Sequence, residues 1–456
     1  MPSNPHPGDA RSGYDAYAAL RFLDFRLFVS GNFLGALSRS ILSVIVGYEL
    51  YLRTDSALAL GLVGLVQIIP NVVLALPAGQ YVDRHDHQRI AVVATSLNAT
   101  AAAILALLSW AHGPLWVIYA CLFLIGIGRV FNSPTQGTLL AAVVPARDYG
   151  NASAWGSSVS QFASVLGPVL GGFAVAALGE EAPVYAATAA MLFLAAILYS
   201  RLHPRPIHKS TEPVTRESLF AGFRFIASTK VLLAAITLDM VAVLLGGATA
   251  LLPIFAEDVL HVGATGLGVM RASVAIGAIL MSFAIAHKGE FRRAGITLLA
   301  TEGGFGLATI LFGLSTWMPL SLLALFLIGA FDSISVVIRT TLELRFTPDE
   351  MRGRVGSIHY LFIGMSNEFG EFESGVVAAI FGATTAVVLG GIGTLLVVPA
   401  IALIWPQVPR LREIVAPPEI AALQTAAEVA ENEAGTGSAR EPNPATASST
   451  TATPAS

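Results

Sequence analysis

Stretches of about 20 apolar residues recur along nearly the whole chain, and this recurrence constrains the fold more than any other feature. A helix of that length crosses the hydrocarbon core of a bilayer, where the backbone must satisfy its own hydrogen bonds. Charged residues make up 12% of the chain, about half of their usual share in soluble domains. The sequence therefore predicts an all-α polytopic membrane protein, and it excludes a soluble enzyme, a nucleic-acid binder and a disordered scaffold.

Twelve transmembrane helices fit the hydropathy of the chain, with boundaries uncertain by a few residues. The frequent Gly and Pro residues agree with this interpretation, because membrane helices contain more of both than soluble helices do. We predict spans at 25–48, 58–82, 89–111, 114–141, 153–178, 183–202, 230–254, 264–287, 294–314, 317–342, 355–380 and 384–406.

The Lys and Arg residues are distributed very unequally between the two sides of these spans. If the chain starts inside, 21 of the 26 Lys and Arg residues lie in inner loops, helix ends and tails, and only Arg53 lies in an outer loop. Cytoplasmic loops of membrane proteins carry the excess of positive charge. The pattern predicts a multi-pass protein of the cell inner membrane with both termini in the cytoplasm.

The polar segments divide the chain into five parts. We predict a cytoplasmic segment at 1–24, a six-helix bundle at 25–202, a cytoplasmic linker at 203–229, a second six-helix bundle at 230–407 and a disordered cytoplasmic tail at 408–456. The first segment is polar and lacks the pattern of a signal peptide, so we expect the first span to target the chain to the membrane.

The two predicted bundles align at an offset of 203 residues. Leu124-Ile125-Gly126 matches Leu327-Ile328-Gly329, Pro145 matches Pro348, and GPVLGG at 167–172 falls on GEFESG at 370–375. Because each copy has an even number of spans, both copies have the same orientation. Parallel six-helix repeats of this kind are typical of transporters in which two similar bundles rock around a central site.

The chain resembles the major facilitator superfamily over about residues 18–407, in the branch of enterobactin exporters and related drug-efflux proteins. This resemblance implies two parallel six-helix bundles, with spans 1, 4, 7 and 10 lining a cavity. The stretches that carry it are FRLFVSGNF at 25–33, SALALGLVGLVQIIP at 56–70, PAGQYVDRHDHQRI at 77–90, GPVLGG at 167–172, and RGRVGSIHYLF followed by NEFGEFESG between 352 and 375.

The loop between spans 2 and 3 resembles the signature of that superfamily at Gly79, Asp83, Arg84 and Arg89, although His85-Asp86-His87 departs from it. The resemblance implies a gate, in which Asp83 docks on the first N–H groups of span 11 when the inner side is closed. The alternative is that these charges only fix the topology. The counterpart in the second half, near Lys288-Gly289-Glu290, is degenerate.

GPVLGG in span 5 resembles the exporter signature of the superfamily, except that Ala163 stands where that signature prefers Gly. Pro168 removes a helix hydrogen bond, and Gly167, Gly171 and Gly172 permit a close approach of a neighbouring backbone. We expect these residues to take part in gating, and the alternative is generic packing of small residues.

Two ionisable residues, Arg129 in span 4 and Asp332 in span 10, occupy equivalent positions of the repeat and lie at the same depth. Ionisable residues at membrane depth are costly and are therefore candidates for function. We expect the two to form a charge pair or two charged walls at the cavity. The alternative is a static ion pair that fixes the packing of the halves.

Further candidates are Arg39, Asp239, Glu368 and Glu371. Glu368 and Glu371 share one face of span 11, and crowded carboxylates of this kind can carry protons, whereas Glu373 lies on another face. Alternatively they pair with Arg39, Arg271 or Arg339, or lie near the outer surface. The cavity-lining spans of the resembled fold favour Asp239 and Arg39, and Glu302 in the peripheral span 9 is interpreted as structural.

The sequence contains no phosphate-binding loop and no motif of a hydrolase or metalloprotease, so we predict neither enzymatic activity nor a cofactor or metal. The resemblance favours a monomeric secondary transporter that exports an amphipathic small organic molecule, a siderophore or drug-like compound, by proton antiport. An importer or facilitator of the same fold is the first alternative. A non-transporting receptor or a lipid-handling protein is the second.

Overall fold

The computed structural model describes residues 17–205, 216–288 and 291–414. Twelve long membrane-spanning helices, which we call spans 1 to 12, account for most of these residues. They are Leu23–Thr54, Ala57–Arg84, His87–Trp110, Leu115–Val143, Tyr149–Leu178, Ala182–Ser200, Lys230–Val259, Gly263–Lys288, Ala294–Leu314, Met318–Phe346, Asp349–Phe381 and Ala383–Ile404.

The predicted all-α architecture with twelve spans is confirmed. Eleven of the helices combine the length and the hydropathy of membrane-crossing segments. Span 11 is long enough to cross as well, but it is more polar than the others because it carries Glu368, Glu371 and Glu373 in its second half. Span 11 therefore differs from the other spans in carrying three carboxylates within its second half.

The connection between the two halves is partly helical. Arg216–Ser228 forms a helix, whereas residues 206–215 lie outside the described part of the chain. Phe225 and Ile226 pack against the beginning of spans 7 and 11 through Leu232 and Val355. The predicted linker at 203–229 thus contains a helix whose apolar residues pack on the base of the second bundle, and its cytoplasmic position stays a prediction. Most of the segment 1–24 and of the tail 408–456 lies outside the described residues.

Span 7 is not one continuous α-helix. Its first part ends at Leu245, and the chain continues through Gly246 and Gly247 into a short 3₁₀ turn and a π-helical segment, Phe255–Val259. A Cβ on Gly247 would lie 2.7 Å from the carbonyl oxygen of Gly370 in span 11. The break therefore occurs where span 11 approaches the span 7 backbone too closely for any side chain.

The helix contacts divide the spans into two similar halves. In the first half, span 3 packs on spans 4 and 6, and span 1 packs on span 5; in the second half, span 9 packs on spans 10 and 12. The halves meet along two helix pairs, span 2 with span 11 and span 5 with span 8. These two pairs exchange under the internal repeat, as expected for parallel repeats related by an axis along the membrane normal.

Two backbone contacts between the halves are themselves equivalent in the repeat. Gly375 in span 11 meets Gly61 in span 2, and Gly172 in span 5 meets Ala264 in span 8. Each pair lies at the side of the bundle opposite the beginning of span 1. We call that side the far side, and we call the other side, which holds most of the Lys and Arg residues, the basic side. The halves are therefore in close contact at the far side.

Further bonds hold the far side together, whereas the basic side is more open. The Tyr51 hydroxyl in span 1 donates a hydrogen bond to Asp258 in the π-helical segment of span 7. Towards the basic side, a Cβ on Gly79, Gly137 or Gly156 would meet no atom within 4 Å. At these positions the halves make no contact as close as those of the far side, and we call the space between them on the basic side the cleft.

Replacing Gly61 with valine is expected to shift the protein away from this conformation. A Cβ at this position would lie 2.9 Å from the Gly375 Cα and 3.0 Å from the Phe372 carbonyl oxygen, so the halves must separate at the far side. The probe is a cysteine placed at Ser133, which is exposed in the cleft. If the variant favours the state that is closed on the basic side by about 1.4 kcal/mol, this cysteine should react about tenfold more slowly with a water-soluble maleimide.

Gly303 in span 9 supplies the matched control for this experiment, because a Cβ there would meet no atom within 4 Å. The Gly303→Val variant should label at the rate of the parent protein, in a background from which Cys121 has been removed. Equal labelling of the Gly61 and Gly303 variants would mean that the far-side contact does not control the opening of the cleft.

Candidate functional site

A cavity of about 370 Å³ lies between the two halves, at the middle of the membrane-spanning region. Spans 1, 2, 3 and 4 of the first half and spans 7, 8 and 11 of the second half contribute to its wall. Its charged residues are Arg39, Arg129, Arg271 and Glu371. Its apolar wall is formed by residues of spans 1, 2 and 4, including Leu42, Val46, Leu60, Val63, Leu122 and Ile125. The wall of the cavity therefore contains both charged and apolar side chains.

A second cavity of about 270 Å³ shares Arg39, Asn98 and Arg129 with the first. The remaining residues in its wall are Asn132, Ser133 and Gln136, which follow Arg129 along span 4 towards the basic side. This chamber is lined by two guanidinium groups, three amides and one hydroxyl, and no carboxylate is among these lining residues. Its wall is strongly cationic and rich in hydrogen-bonding groups.

One ion pair crosses between the halves beside the first cavity. Arg129 Nη1 in span 4 donates a hydrogen bond of 2.9 Å to Glu368 Oε1 in span 11. The Glu368 side chain is 8% exposed, whereas the Arg129 side chain is 53% exposed to the cleft. The expected pairing of Arg129 with Asp332 is wrong. Equivalent positions in the repeat share a depth, but span 10 turns its Asp332 towards its own half.

A second cross-half contact lies close to the first. Arg271 Nη1 in span 8 is 3.4 Å from the Ser43 hydroxyl oxygen in span 1. Arg271 and Glu371 line the same cavity, and the positive charges of Arg271 and Arg129 both act on the Glu371 carboxylate. Two arginines and two glutamates thus form one electrostatic cluster that spans the interface between the halves.

Arg39 lines both cavities, as expected, but it differs from the other two cavity arginines. No ion pair or hydrogen bond joins its guanidinium to any residue in the described part of the chain. The like charge of Arg129 is among the groups that act on it electrostatically. Arg39 is therefore a cation in the cavity wall without a compensating anion among the described residues.

The buried charges of the second half form a separate network. Arg339 makes an ion pair with Asp239, and its Nη2 lies 3.9 Å from Asp332 Oδ1. The side chains of Arg339 and Asp239 are 4% and 6% exposed, and neither residue belongs to the wall of the two cavities described above. Asp239 and Asp332 both lie next to Arg339 in the second half, neither lines the two cavities described above, and their expected role at a cavity stays a prediction.

Glu302 belongs to the structural framework of the second half. It is buried, and its Oε1 accepts a hydrogen bond of 2.6 Å from the Ser335 hydroxyl of span 10. This geometry agrees with the interpretation of Glu302 as a residue that ties span 9 to span 10.

The family model of the Major Facilitator Superfamily matches residues 28–371, which is most of the chain. The chain belongs to the Major Facilitator Superfamily. It is a multi-pass membrane transporter with this fold and not an enzyme.

Relatives within the superfamily agree with this placement. The enterobactin exporter EntS of Shigella boydii serotype 18 is 23% identical over 402 residues, which cover 87% of this chain and 95% of the relative. The EntS protein of Escherichia coli O81 matches with the same identity and coverage. This chain is thus similar to named exporters over nearly their whole length.

Solved structures of the superfamily share the fold. A bacterial homologue of the human lysosomal transporter Spinster, in an inward-facing and unoccupied conformation, aligns with a TM-score of 0.67 at 14% identity and covers 85% of this chain and 96% of that chain. A POT family transporter in complex with 5-aminolevulinic acid aligns with a TM-score of 0.66 at 13% identity, covering 84% and 96%.

The superfamily signature between spans 2 and 3 is open to solvent in this conformation. Arg84 and Arg89 are exposed, and Arg89 Nε lies 3.5 Å from Asp86 Oδ2. Asp86 also caps span 3, because its Oδ1 accepts hydrogen bonds from the N–H groups of Gln88 and Arg89 at 2.9 and 3.2 Å. Gly79 makes no close helix contact, and the Asp83 side chain lies outside the described residues. The gating role of this loop stays a prediction.

The GPVLGG segment packs on two helices at once. A Cβ on Gly167 would lie 3.2 Å from the Leu37 carbonyl oxygen, and one on Gly171 would lie 3.4 Å from Ile41 Cγ2, so both glycines face span 1. Gly172 faces span 8 across the halves, and the buried Pro168 places its carbonyl against Gly268. The close approach expected at these residues is present, and their role in gating stays a prediction.

Three features of the site were missed at the sequence level. The pairing of Arg129 with Glu368 had no signal, because it depends on which way two distant helices face. The role of Arg339 could have been found, since Asp332 and Arg339 are seven residues apart and therefore share a face of span 10. The buried pair of Glu343 and His359, which ties span 10 to span 11, gave no pattern.

Proposed function

We propose that this transporter exports an amphipathic small organic molecule, of the siderophore or drug-like kind, by alternating access coupled to proton antiport. The observation that carries the proposal is the ion pair of Arg129 and Glu368, which joins the two halves beside the central cavity. A charge pair across the two moving bodies ties their relative position to the charge state of its carboxylate.

The geometry supports a cycle in which two bundles, at about 25–202 and 230–407, move around this site. In the state described, the far side is closed by the contacts of Gly61 with Gly375 and of Gly172 with Ala264, and the cleft is open on the basic side. Rocking of the bundles opens the far side and closes the basic side. Residues 79–89, with Asp83 and Arg84, then serve as the latch of the closed basic side.

Glu368 and Glu371 are the proton carriers of this proposal. A proton on Glu368 removes its negative charge and thereby weakens its attraction to Arg129. The halves can then separate beside the cavity, and Glu371, which faces Arg271 in the same wall, supplies a second carboxylate to the same cluster. Proton binding and release thus favour different arrangements of the halves, which is the requirement for coupling.

The orientation rests on the positive charges. Because the basic side carries 21 of the 26 Lys and Arg residues, we place it in the cytoplasm, together with both termini, the linker and the tail. The similarity to bacterial exporters supports a position in the inner membrane, and we expect the monomer to be the transporting unit. The apolar side chains in the cavity wall, together with the charged ones, support an amphipathic substrate.

A transport assay in inverted membrane vesicles tests this proposal. Vesicles that contain the protein and carry an acidic interior should take up members of a panel of amphipathic dyes and siderophores, and vesicles without the protein should not. Dissipation of the proton gradient with a protonophore should abolish the uptake. Uptake that survives loss of the gradient would contradict proton antiport. Net movement only in the opposite direction would identify an importer of the same fold.

A further inference from the structure

The two cavities share a strongly cationic region that the residues around it do not neutralise. Arg39 and Arg129 line both cavities, and Arg271 lines the larger one. Opposite them, Glu368 is engaged by Arg129, and Glu371 lies in the wall with Arg271. Three guanidinium groups thus face two carboxylates, and Arg39 is the cation left without an anion among the described residues.

Keeping two arginines with like charges in one chamber is costly unless something compensates them. Arg39 and Arg129 carry like charges that act on each other, and an unpaired cation at membrane depth is expensive even where its side chain is exposed in the chamber. No carboxylate is among the residues described for the smaller cavity. Such an arrangement favours the entry of an anion, because the anion removes the repulsion and gains charge-assisted hydrogen bonds.

The amides of the smaller cavity are also incompletely used. Asn98 is 5% exposed, it lines both cavities, and its Oδ1 atom is buried without a hydrogen-bond partner. Gln136 donates from Nε2 to Asn132 Oδ1 at 3.0 Å and to the Tyr199 hydroxyl at 3.1 Å, and its Oε1 atom is buried without a partner. Both atoms are acceptors covered by protein, so a negatively charged group in this cavity is bound by the guanidinium groups and the N–H donors of the lining amides.

The apolar residues of the larger cavity lie nearer to the far side than Arg129 does. Leu60, Val63, Leu122 and Ile125 belong to the larger cavity and not to the wall described for the smaller one. A ligand that spans both cavities therefore meets cations and amides at one end and aliphatic side chains at the other. The pattern matches a molecule with a negatively charged group attached to an apolar body.

We propose that the transported molecule is an amphipathic organic anion, whose charged group binds Arg39 and Arg129 and whose apolar body lies against spans 2 and 4. This inference rests on the proposed function, since it names the class of cargo for the same cavity. Arg39 is the specificity-determining residue of the site. Arg129 contributes both to the anion and to the pair with Glu368, so binding of the anion competes with the carboxylate for one guanidinium group.

The test compares two probes of nearly the same shape, naphthoate and naphthamide, which differ in the negative charge. Binding to the full-length protein in lipid nanodiscs is measured by calorimetry at neutral pH. The parent protein should bind naphthoate at least about tenfold more tightly than naphthamide, because only the carboxylate forms charge-assisted bonds with the arginines. The Arg39→Gln variant should lose this preference, and Arg39→Lys should retain part of it.

Two further variants keep the result interpretable. Asn98→Asp introduces a carboxylate among the lining residues of both cavities that Arg39 lines, and it should also abolish the preference for naphthoate. Arg201→Gln removes an exposed arginine at the end of span 6, outside both cavities, and it should bind like the parent. Each variant is used only if it elutes as a single folded species. Equal affinity for the two probes in the parent protein, or an unchanged preference in Arg39→Gln and Asn98→Asp, would overturn the proposal.

Failure of this inference can be told apart from failure of the proposed function. If vesicles expel neutral compounds on a proton gradient while the purified protein ignores the charge of the probe, the exporter stands and the anion site does not. If naphthoate binds through Arg39 but no compound moves on a proton gradient, the site stands and the exporter does not.

Discussion

Replacing Glu368 with glutamine is expected to abolish proton-driven transport and to leave exchange of substrate across the membrane largely intact. Glutamine keeps the size of the side chain and its ability to accept a hydrogen bond from Arg129, but it cannot release or bind the proton. We expect the initial rate of gradient-driven uptake in inverted vesicles to fall by about a hundredfold or more, as for the loss of a group that carries the coupling step. Counterflow of labelled substrate, which needs no net proton movement, should fall by less than about threefold.

Glu373 provides the matched control, because it lies five residues further along span 11 and is not among the lining residues of either cavity. The Glu373→Gln variant should transport at nearly the rate of the parent protein. A loss of the same size in both assays of Glu368→Gln would show that Glu368 acts in packing or in substrate contact, and it would remove the proton carrier from the proposal.

Replacing Arg339 with alanine is expected to cost about 3–5 kcal/mol of stability, because it leaves the Asp239 carboxylate as an unpaired buried charge. Arg339 and Asp239 are 4% and 6% exposed, so water cannot take the place of the missing partner. Asp239→Asn should be destabilising for the same reason. We expect both variants to give little folded protein, with a clearly lower melting temperature in detergent for the part that folds.

The internal repeat suggests the rescuing double variant. Asp239 and Arg339 correspond, at the offset of 203, to Ala36 and Gln136 in the first half, where the same fold tolerates an uncharged pair. The combination of Asp239→Ala and Arg339→Gln should therefore recover most of the lost stability. Arg292→Ala, at an exposed arginine of the same half, serves as the control. Additive losses in the double variant would show that the two residues do not interact.

The sequence predicts the fold of this protein closely and its site only in part. The length of the apolar runs gives the twelve helices, because the thickness of the membrane sets the minimum length of an apolar helix that crosses it. The repeat gives the depth of Arg129 and Asp332, but depth does not say which way a side chain points around the helix axis. Glu368 takes the place expected of Asp332 for this reason.

Other differences have equally simple causes. The helix Arg216–Ser228 was missed because its apolar run, which contains Phe220, Phe223 and Phe225, is too short to cross the membrane and is interrupted by Arg224. The break in span 7 had a signal in the adjacent Gly246 and Gly247, since glycine pairs are common at helix kinks. Hydropathy alone passes over such a break, because both of its sides are apolar.

The break in span 7 has a mechanical consequence. An unbroken helix moves as a stiff rod, so any tilt at one end appears at the other. Span 7 instead consists of two segments joined at Gly246 and Gly247. The segment on the far side is bonded to the opposite half through Asp258 and Tyr51. The far-side segment can therefore tilt at this break while the other segment keeps its position in its own bundle. We expect bending at this joint to preserve the bond between Tyr51 and Asp258 while the contacts of span 2 with span 11 and of span 5 with span 8 separate.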